Sequence, residues 1–348
     1  MTDYISTQYL SSSLQLSLMR MQTELATAQA ESTTGQYADI GLQLGAQAGQ
    51  EISLQNENGL LQTYTNSNAS VATSMTSAQS ALTSIQTQAQ DTLQNLTQWT
   101  SSDDSGAQLQ QLGASGLQSL ISTANTSVNG QYVFGGINSS VAPMTNYFAA
   151  PANAQTAIQS AFSTYLSGLS PPATAQTVTG AQMQTFIASS AFTSQFQGAA
   201  WSSNWSAASS TNISSNISPT ETIDTSTNAN QPAFQELARA YTMLNEFTGS
   251  SVNSSAMQTV ASAASTLISN AMSSLTTTQA TLGAAQQSVT EANSNMSAQM
   301  TILQTQIGNL DNVNVYQTST RVSALTTQIQ TAYSLTADLQ KLSLVNYL

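Results

Sequence analysis

The sequence predicts a mainly α protein: a long antiparallel helical bundle or coiled coil formed by both termini, with a small β-containing (α+β) insertion in the middle. Three observations carry that prediction. Residues 58–98 and 296–342 both hold long apolar repeats of helical period. The outgoing and the returning helices have complementary seams and similar lengths, so an antiparallel bundle is the economical arrangement. Between Asp104 and Glu221 there is no charged residue, and five of the six prolines fall within residues 138–230.

From the N-terminus, Leu14, Leu18, Met21, Leu25 and Ala28 keep a four-three spacing, the seam of a coiled-coil-like helix. This helix is expected to end at Thr34-Gly35, where glycine makes a C-cap. Residues 35–49 hold four glycines and read as a non-helical connector. A second helix begins near Glu51. Its seam runs through Leu61, Tyr64, Asn68, Val71, Met75, Ala78, Leu82, Ile85, Ala89, Leu93 and Leu96. Asn68 is the one polar member, of the kind that fixes register at some cost in stability. A turn is expected over residues 101–106, then a third helix carrying Leu109, Leu112, Leu117, Leu120, Ile121 and Val128.

The middle then changes character. Its aromatics, among them Tyr147, Phe162, Phe186, Phe192, Phe196, Trp201 and Trp205, favour a folded insertion over a disordered linker. Helix is expected over residues 154–167 and 180–191. It returns at Pro232, a first-turn proline, with Phe234, Leu237, Tyr241 and Leu244 on its apolar face. Met257, Val260, Ala264, Leu267, Ala271 and Leu275 make the next stripe, and Met296, Met300, Leu303, Ile307 and Leu310 continue the helical pattern. After a weak patch at residues 311–314 the seam resumes out of phase at Val322, Leu325, Ile329, Ala332, Thr336 and Leu339. A phase slip of this kind marks a joint between two packed segments.

Composition excludes several functions. Only 6% of the 348 residues are charged, with 16 acids against four bases and a net charge of −12. Phosphate neutralisation needs clustered Lys and Arg, so neither nucleic acid nor an anionic membrane surface is an expected partner. With no Cys and no His, disulfides, thiolate and imidazole catalysis and most zinc sites are ruled out. No phosphate-binding glycine loop or nucleophile elbow is present, and Asp103-Asp104 reads as a solvated turn. No catalytic, cofactor or metal site is expected. The opening residues carry no signal-peptide pattern, so export without a cleaved leader is the expected route if the protein leaves the cell.

The terminal helices have apolar seams but no visible third helix to bury them. Their seam residues are therefore expected at a subunit interface: Leu14, Leu18, Met21 and Leu25 at one end, and Val322, Leu325, Ile329, Leu339, Leu342, Leu344 and Leu348 at the other. Isolated helices are marginal in water, so this pair is expected to order on assembly. Residues 1–40 with 312–348 would then form a polymerisation domain. Residues 41–136 with 232–311 would form a helical rod, and residues 137–231 a variable outer domain.

This organisation resembles the flagellin superfamily over roughly residues 1–136 and 232–348. The closing Ser343, Leu344, Tyr347 and Leu348 are similar to the family's last helix, and Thr281-Leu282-Gly283-Ala284 to the Leu-Gly element of its long C-terminal helix. Thr34-Gly35-Gln36-Tyr37 stands at the family's Ser/Thr-Gly-Lys/Arg turn, with Gln36 in place of the base. Residues 38–45 stand where a Ser-Asp-Asp-Pro element is usual. The element Asn129-Gly130-Gln131-Tyr132-Val133-Phe134-Gly135-Gly136 resembles the Gly-Arg-Tyr-Leu-Phe-x-Gly of the hook–filament junction branch, the hook-associated protein 3 family. Gly130, Tyr132, Phe134, Gly135 and Gly136 carry that match; read alone, they are a short strand between glycine turns.

What the resemblance implies is an extracellular subunit of the bacterial flagellum. It would be exported unfolded through the flagellar channel with a dedicated chaperone. It would form a homo-oligomeric ring between a neighbouring hook-associated protein and flagellin. Flagellin itself, the filament subunit, is the alternative. A surface adhesin and a signalling coiled coil are more remote.

Overall fold

The computed structural model describes the backbone of residues 2–99, 105–250 and 252–345, and side chains over residues 9–99, 106–250 and 252–338. The described residues are mainly helical with two small sheets. In order the chain forms α1 (Thr2–Thr34), α2 (Ile40–Leu44), α3 (Ala48–Gln98), α4 (Ser105–Ala124), β1 (Ser127–Val128), β2 (Gln131–Tyr132), α5 (Asn153–Ser167), α6 (Gly180–Ala188) and α7 (Ser190–Thr193). Then follow α8 (Gly198–Asn204), β3 (Ser214–Ser218), β4 (Glu221–Asp224), α9 (Pro232–Glu246), α10 (Ser254–Asp311) and α11 (Val315–Val345). The chain divides into two compact units, Met1–Gln62 with Ser297–Leu348, and Thr63–Met296.

In the terminal unit, α1 packs antiparallel on α11. Gly35, with φ +74°, ends α1, and its carbonyl accepts from Val313 N at 2.9 Å. Tyr37 N donates to Asp311 O at 2.9 Å, so the turn after α1 is tied to the joint between α10 and α11. That joint lies at residues 312–314, where the seam was expected to slip. Residues 35–49 are not the non-helical connector expected. The Asp39 side chain accepts from Leu42 N at 2.8 Å and caps the short α2, and a 3-10 turn over Gly45–Gln47 leads into α3. A side-chain N-cap outweighs the glycine content here.

In the central unit, α3 and α10 run antiparallel. Gln79 Nε2 donates to Gln279 O at 2.8 Å, and Asn68 Nδ2 donates to Asn293 Oδ1 at 2.7 Å. The expected seam of α3 is buried at Met75, Ala78, Leu82, Ile85, Ala89 and Leu96, while Leu93 is half-buried and Thr92 takes the inner place. On α10 the buried residue is Ile268 and Leu267 is half-buried. Both one-residue shifts follow from a 3.6-residue helix, on which adjacent positions compete for the same stripe.

Asn68 is wholly buried and also donates to Ile217 O of β3 at 2.8 Å, so one amide joins two helices and a hairpin. Asn68→Ala would remove this donor from both acceptors, Ile217 O inside the buried seam and Asn293 Oδ1 at its half-buried edge, which costs about 2 kcal/mol. A denaturant melt of the variant checks this.

The third helix stops at Ala124, short of Val128, because Asn129-Gly130 makes a hairpin turn. Val128 pairs with Gln131, and Asn129 (φ 53°) and Gly130 (φ 79°) form the two-residue loop. Asn-Gly is the favoured pair for such a type I′ turn. The second of the two middle helices, expected over 180–191, ends at Ala188 and gives way to the short α7.

The middle of the chain folds around aromatics. Tyr147 and Trp205 stack at 5.2 Å, Trp201 and Trp205 at 5.7 Å, and Phe186 meets Phe162, Phe192 and Phe247. Helix α9 is the buried centre of this unit and packs antiparallel on α4. At Gly113 a Cβ would lie 2.5 Å from Asn245 N, so the two backbones meet there.

Burial pushes the Tyr241 phenol up to about 12, and burial with the neighbouring Glu246 carboxylate pushes Tyr147 up as well. A tyrosine held neutral in the fold contributes stability in full below its unfolded pKa, near 10, and loses it as pH rises through its folded pKa. The central unit is therefore expected to lose stability from about pH 10 to pH 12. Tyrosinate absorbance recorded beside circular dichroism checks the window.

Candidate assembly surface

The terminal pair is built from helices whose polar faces satisfy themselves. On α1, Thr23, Thr27, Thr33 and Thr34 each donate to the carbonyl four residues back, at 2.8–3.0 Å. On α11, Thr320, Thr326, Thr327 and Thr331 do the same. Hydroxyls used in this way ask little of water or of a neighbour. Among the described residues one ion pair appears, Arg321 with Glu24 at 3.9 Å, and both side chains are about half exposed. Such a pair contributes little. Gln22 Nε2 donates to Tyr333 Oη at 2.7 Å and adds a second polar tie between α1 and α11.

The expected seam residues separate into three groups. Leu325 and Ile329 are buried inside the terminal unit, and Leu14, Leu18, Met21, Leu25 and Val322 are half-buried. The side chains of Leu339, Leu342 and Leu344, and all of Leu348, lie outside the described residues. The described members of the seam are thus covered, wholly or in part, within the chain's own terminal unit.

The apolar surface open to solvent is made by other residues. Tyr9, Leu16 and Met19 of α1 are 80%, 61% and 55% exposed, and Tyr316 of α11 is 83% exposed. Leu42 of α2 is 84% exposed, and Leu60 and Ile302 are about half exposed. Of the fourteen large hydrophobic side chains exposed among the described residues, twelve belong to the terminal unit. Sequence reasoning missed them because periodicity finds the inward stripe. An apolar residue off that stripe is the signal that was available.

The Asn129–Gly136 element is a junction of strands inside the central unit. Phe134 is fully buried with its ring 5.3 Å from that of Phe234. Its carbonyl accepts from Ala229 N at 2.9 Å, Gly135 bridges Asn228, and Gly135 O accepts from Ser209 N at 2.9 Å. Here the chain entering the middle region meets the chain leaving it. Gly136 has φ +58°, and a Cβ there would lie 2.5 Å from Thr211 O. Tyr132 and Gly130 stand at the outer end of this element, Tyr132 half-buried and Gly130 exposed.

Among the described residues no three His, Cys, Asp or Glu side chains gather where they could hold a metal. No helix among them is long and apolar enough to cross a membrane. Paired helices that carry few charges and leave apolar side chains in solvent are the features of a self-assembling helical subunit.

The comparisons agree with that class. The model of the bacterial flagellin N-terminal helical region matches residues 5–139, and that of the bacterial flagellin C-terminal helical region matches residues 250–348. A solved structure from Vibrio parahaemolyticus, provisionally assigned as a flagellar hook-associated protein, is similar with a TM-score of 0.51 at 11% identity. The alignment covers 76% of this chain and 97% of that one. No curated protein matches the sequence. The chain belongs to the flagellin superfamily, a structural and non-enzymatic family whose members self-assemble into flagellar polymers outside the cell.

Proposed function

We propose that the chain is the hook–filament junction subunit of a bacterial flagellum, forming a short homo-oligomeric ring onto which flagellin polymerises. The concentration of exposed apolar side chains in the terminal unit carries the assembly part of this reading. Burial of that surface between copies supplies the driving force, at about 25 cal/mol per Å2 of apolar area. The likeness of residues 129–136 to the junction-type element favours the junction over the filament.

The division of labour follows. Residues 1–40 with 312–348 polymerise, residues 41–136 with 232–311 form the rod, and residues 137–231 form the outer domain. Leu14, Leu18, Met21, Leu25, Val322, Leu325, Ile329, Leu339, Leu342, Leu344 and Leu348 set the packing of the terminal helices in the ring. The partners are flagellin on one side and a neighbouring hook-associated protein on the other, with an export chaperone before secretion through the flagellar channel.

The filament subunit is the second reading, with which the two flagellin helical-region matches are equally compatible. Immunogold labelling of intact flagella separates the two. A single band where hook meets filament supports the junction, and label along the whole filament replaces it with the second reading.

A further inference from the structure

Beside α5 and the end of α9, in the central unit, lies a cavity of about 400 Å3. Its walls include Phe162, Leu166, Pro172 and Phe247, and its polar side includes Gln159 and Glu246. That volume and that mix of apolar wall with a few polar groups are those of small-molecule sites, which run about 300–1,000 Å3.

Glu246 is the unusual member. Its Oε1 accepts from Tyr147 Oη at 2.9 Å, Gln155 Nε2 at 3.0 Å and Asn245 Nδ2 at 2.8 Å. Its Oε2 accepts from Gln159 Nε2 at 2.9 Å. All four donors are neutral, so they hold the carboxylate in place without cancelling its charge. A carboxylate offers about four acceptor positions in all, and three of these four bonds fall on Oε1, which leaves Oε2 with room for another.

No base stands by to pair with it. Arg239 is the only Lys or Arg in residues 63–296. Its Nη2 donates to Ile187 O at 2.6 Å, and its guanidinium lies over the Phe192 ring at 5.6 Å. The half-buried Glu246 carboxylate, held by four neutral donors beside two phenylalanines, therefore has no Lys or Arg of residues 63–296 to neutralise it. The net charge of −12 favours cations near the protein.

We propose that this cavity binds a small organic ammonium ion, with its charge on Glu246 Oε2 and its alkyl groups against Phe162, Leu166, Pro172 and Phe247. Phenyl faces attract a desolvated ammonium as well as covering its alkyl groups. The site does not depend on the junction reading, since it lies wholly in the central unit.

Choline serves as the probe, with 3,3-dimethyl-1-butanol as its neutral isostere, in calorimetric titrations of the full chain at low salt. Saturable choline binding is expected, at least tenfold tighter than that of the alcohol, and weakened at least tenfold by Glu246→Gln. Ser163 also lines the cavity, and Ser163→Trp fills it while leaving the four donors to Glu246 in place. That variant is expected to abolish binding with the circular dichroism spectrum unchanged. Absence of saturable choline binding by the wild type overturns the proposal. So do equal affinities for choline and the alcohol, or full binding by Ser163→Trp.

Discussion

Gly136→Ala is expected to destabilise the central unit by about 3 kcal/mol, the sum of a left-handed alanine and a forced backbone contact. Gly136 sits at φ +58°, a region in which an L side chain is strained. Its Cβ would also meet two carbonyl oxygens, Thr211 O at 2.5 Å and Ser209 O at 2.6 Å. Neither is the end of a side chain that could swing away, so the strand junction itself must shift. For a unit of this size the melting temperature falls by about 6–12 °C. Gly130→Ala is the control. Gly130 also has positive φ, at 79°, but nothing lies within 4 Å of an added Cβ. That variant pays only the backbone cost, about 1 kcal/mol. Calorimetry on the two variants separates conformational strain from close packing; equal losses would show that the approach of residues 209–211 to Gly136 is unimportant.

The triple variant Leu16→Glu, Leu42→Glu, Tyr316→Glu is expected to be folded and exported but absent from the flagellum. These side chains are 61%, 84% and 83% exposed, so the single chain tolerates the charges in water. In an assembly each would become a carboxylate buried among apolar groups, at a cost of several kcal/mol per site. Repetition of the contact around a symmetric ring multiplies that cost. The central unit is expected to melt as in the wild type, and immunoblots to find the chain in the medium and not on purified flagella. Incorporation at wild-type level would show that assembly uses another surface.

The long helices were legible in the sequence because burial repeats every three to four residues over many turns. Met75, Leu82, Ile85, Ala264, Ala271 and Leu275 all lie where the period places them. The joint near residue 312 was legible as a phase slip for the same reason. Short elements were not. The α2 helix depends on one Asp39 cap, and its glycines argued against it. The helix drawn through to Val128 overran the Asn129-Gly130 turn, a local signal that the apolar pattern masked.

The candidate assembly surface was legible only in part. Periodicity identified Leu325 and Ile329 as apolar seam residues, but only tertiary structure shows that α1 and α11 bury them against each other. What remains open to solvent, such as Tyr9, Leu16 and Tyr316, interrupts the pattern. The Glu246 cavity was not legible at all. Its donors come from residues 147, 155 and 159 as well as 245, and no sequence spacing connects them.

Deletion of the gene, scored by electron microscopy of flagella and an immunoblot of the culture medium for flagellin, tests the central claim most directly. Bare hooks with abundant flagellin monomer in the medium are the predicted result, because export continues while the platform for filament growth is missing. Bare hooks with no flagellin shed would make this chain the filament subunit instead. Intact filaments on normal hooks would contradict the assignment.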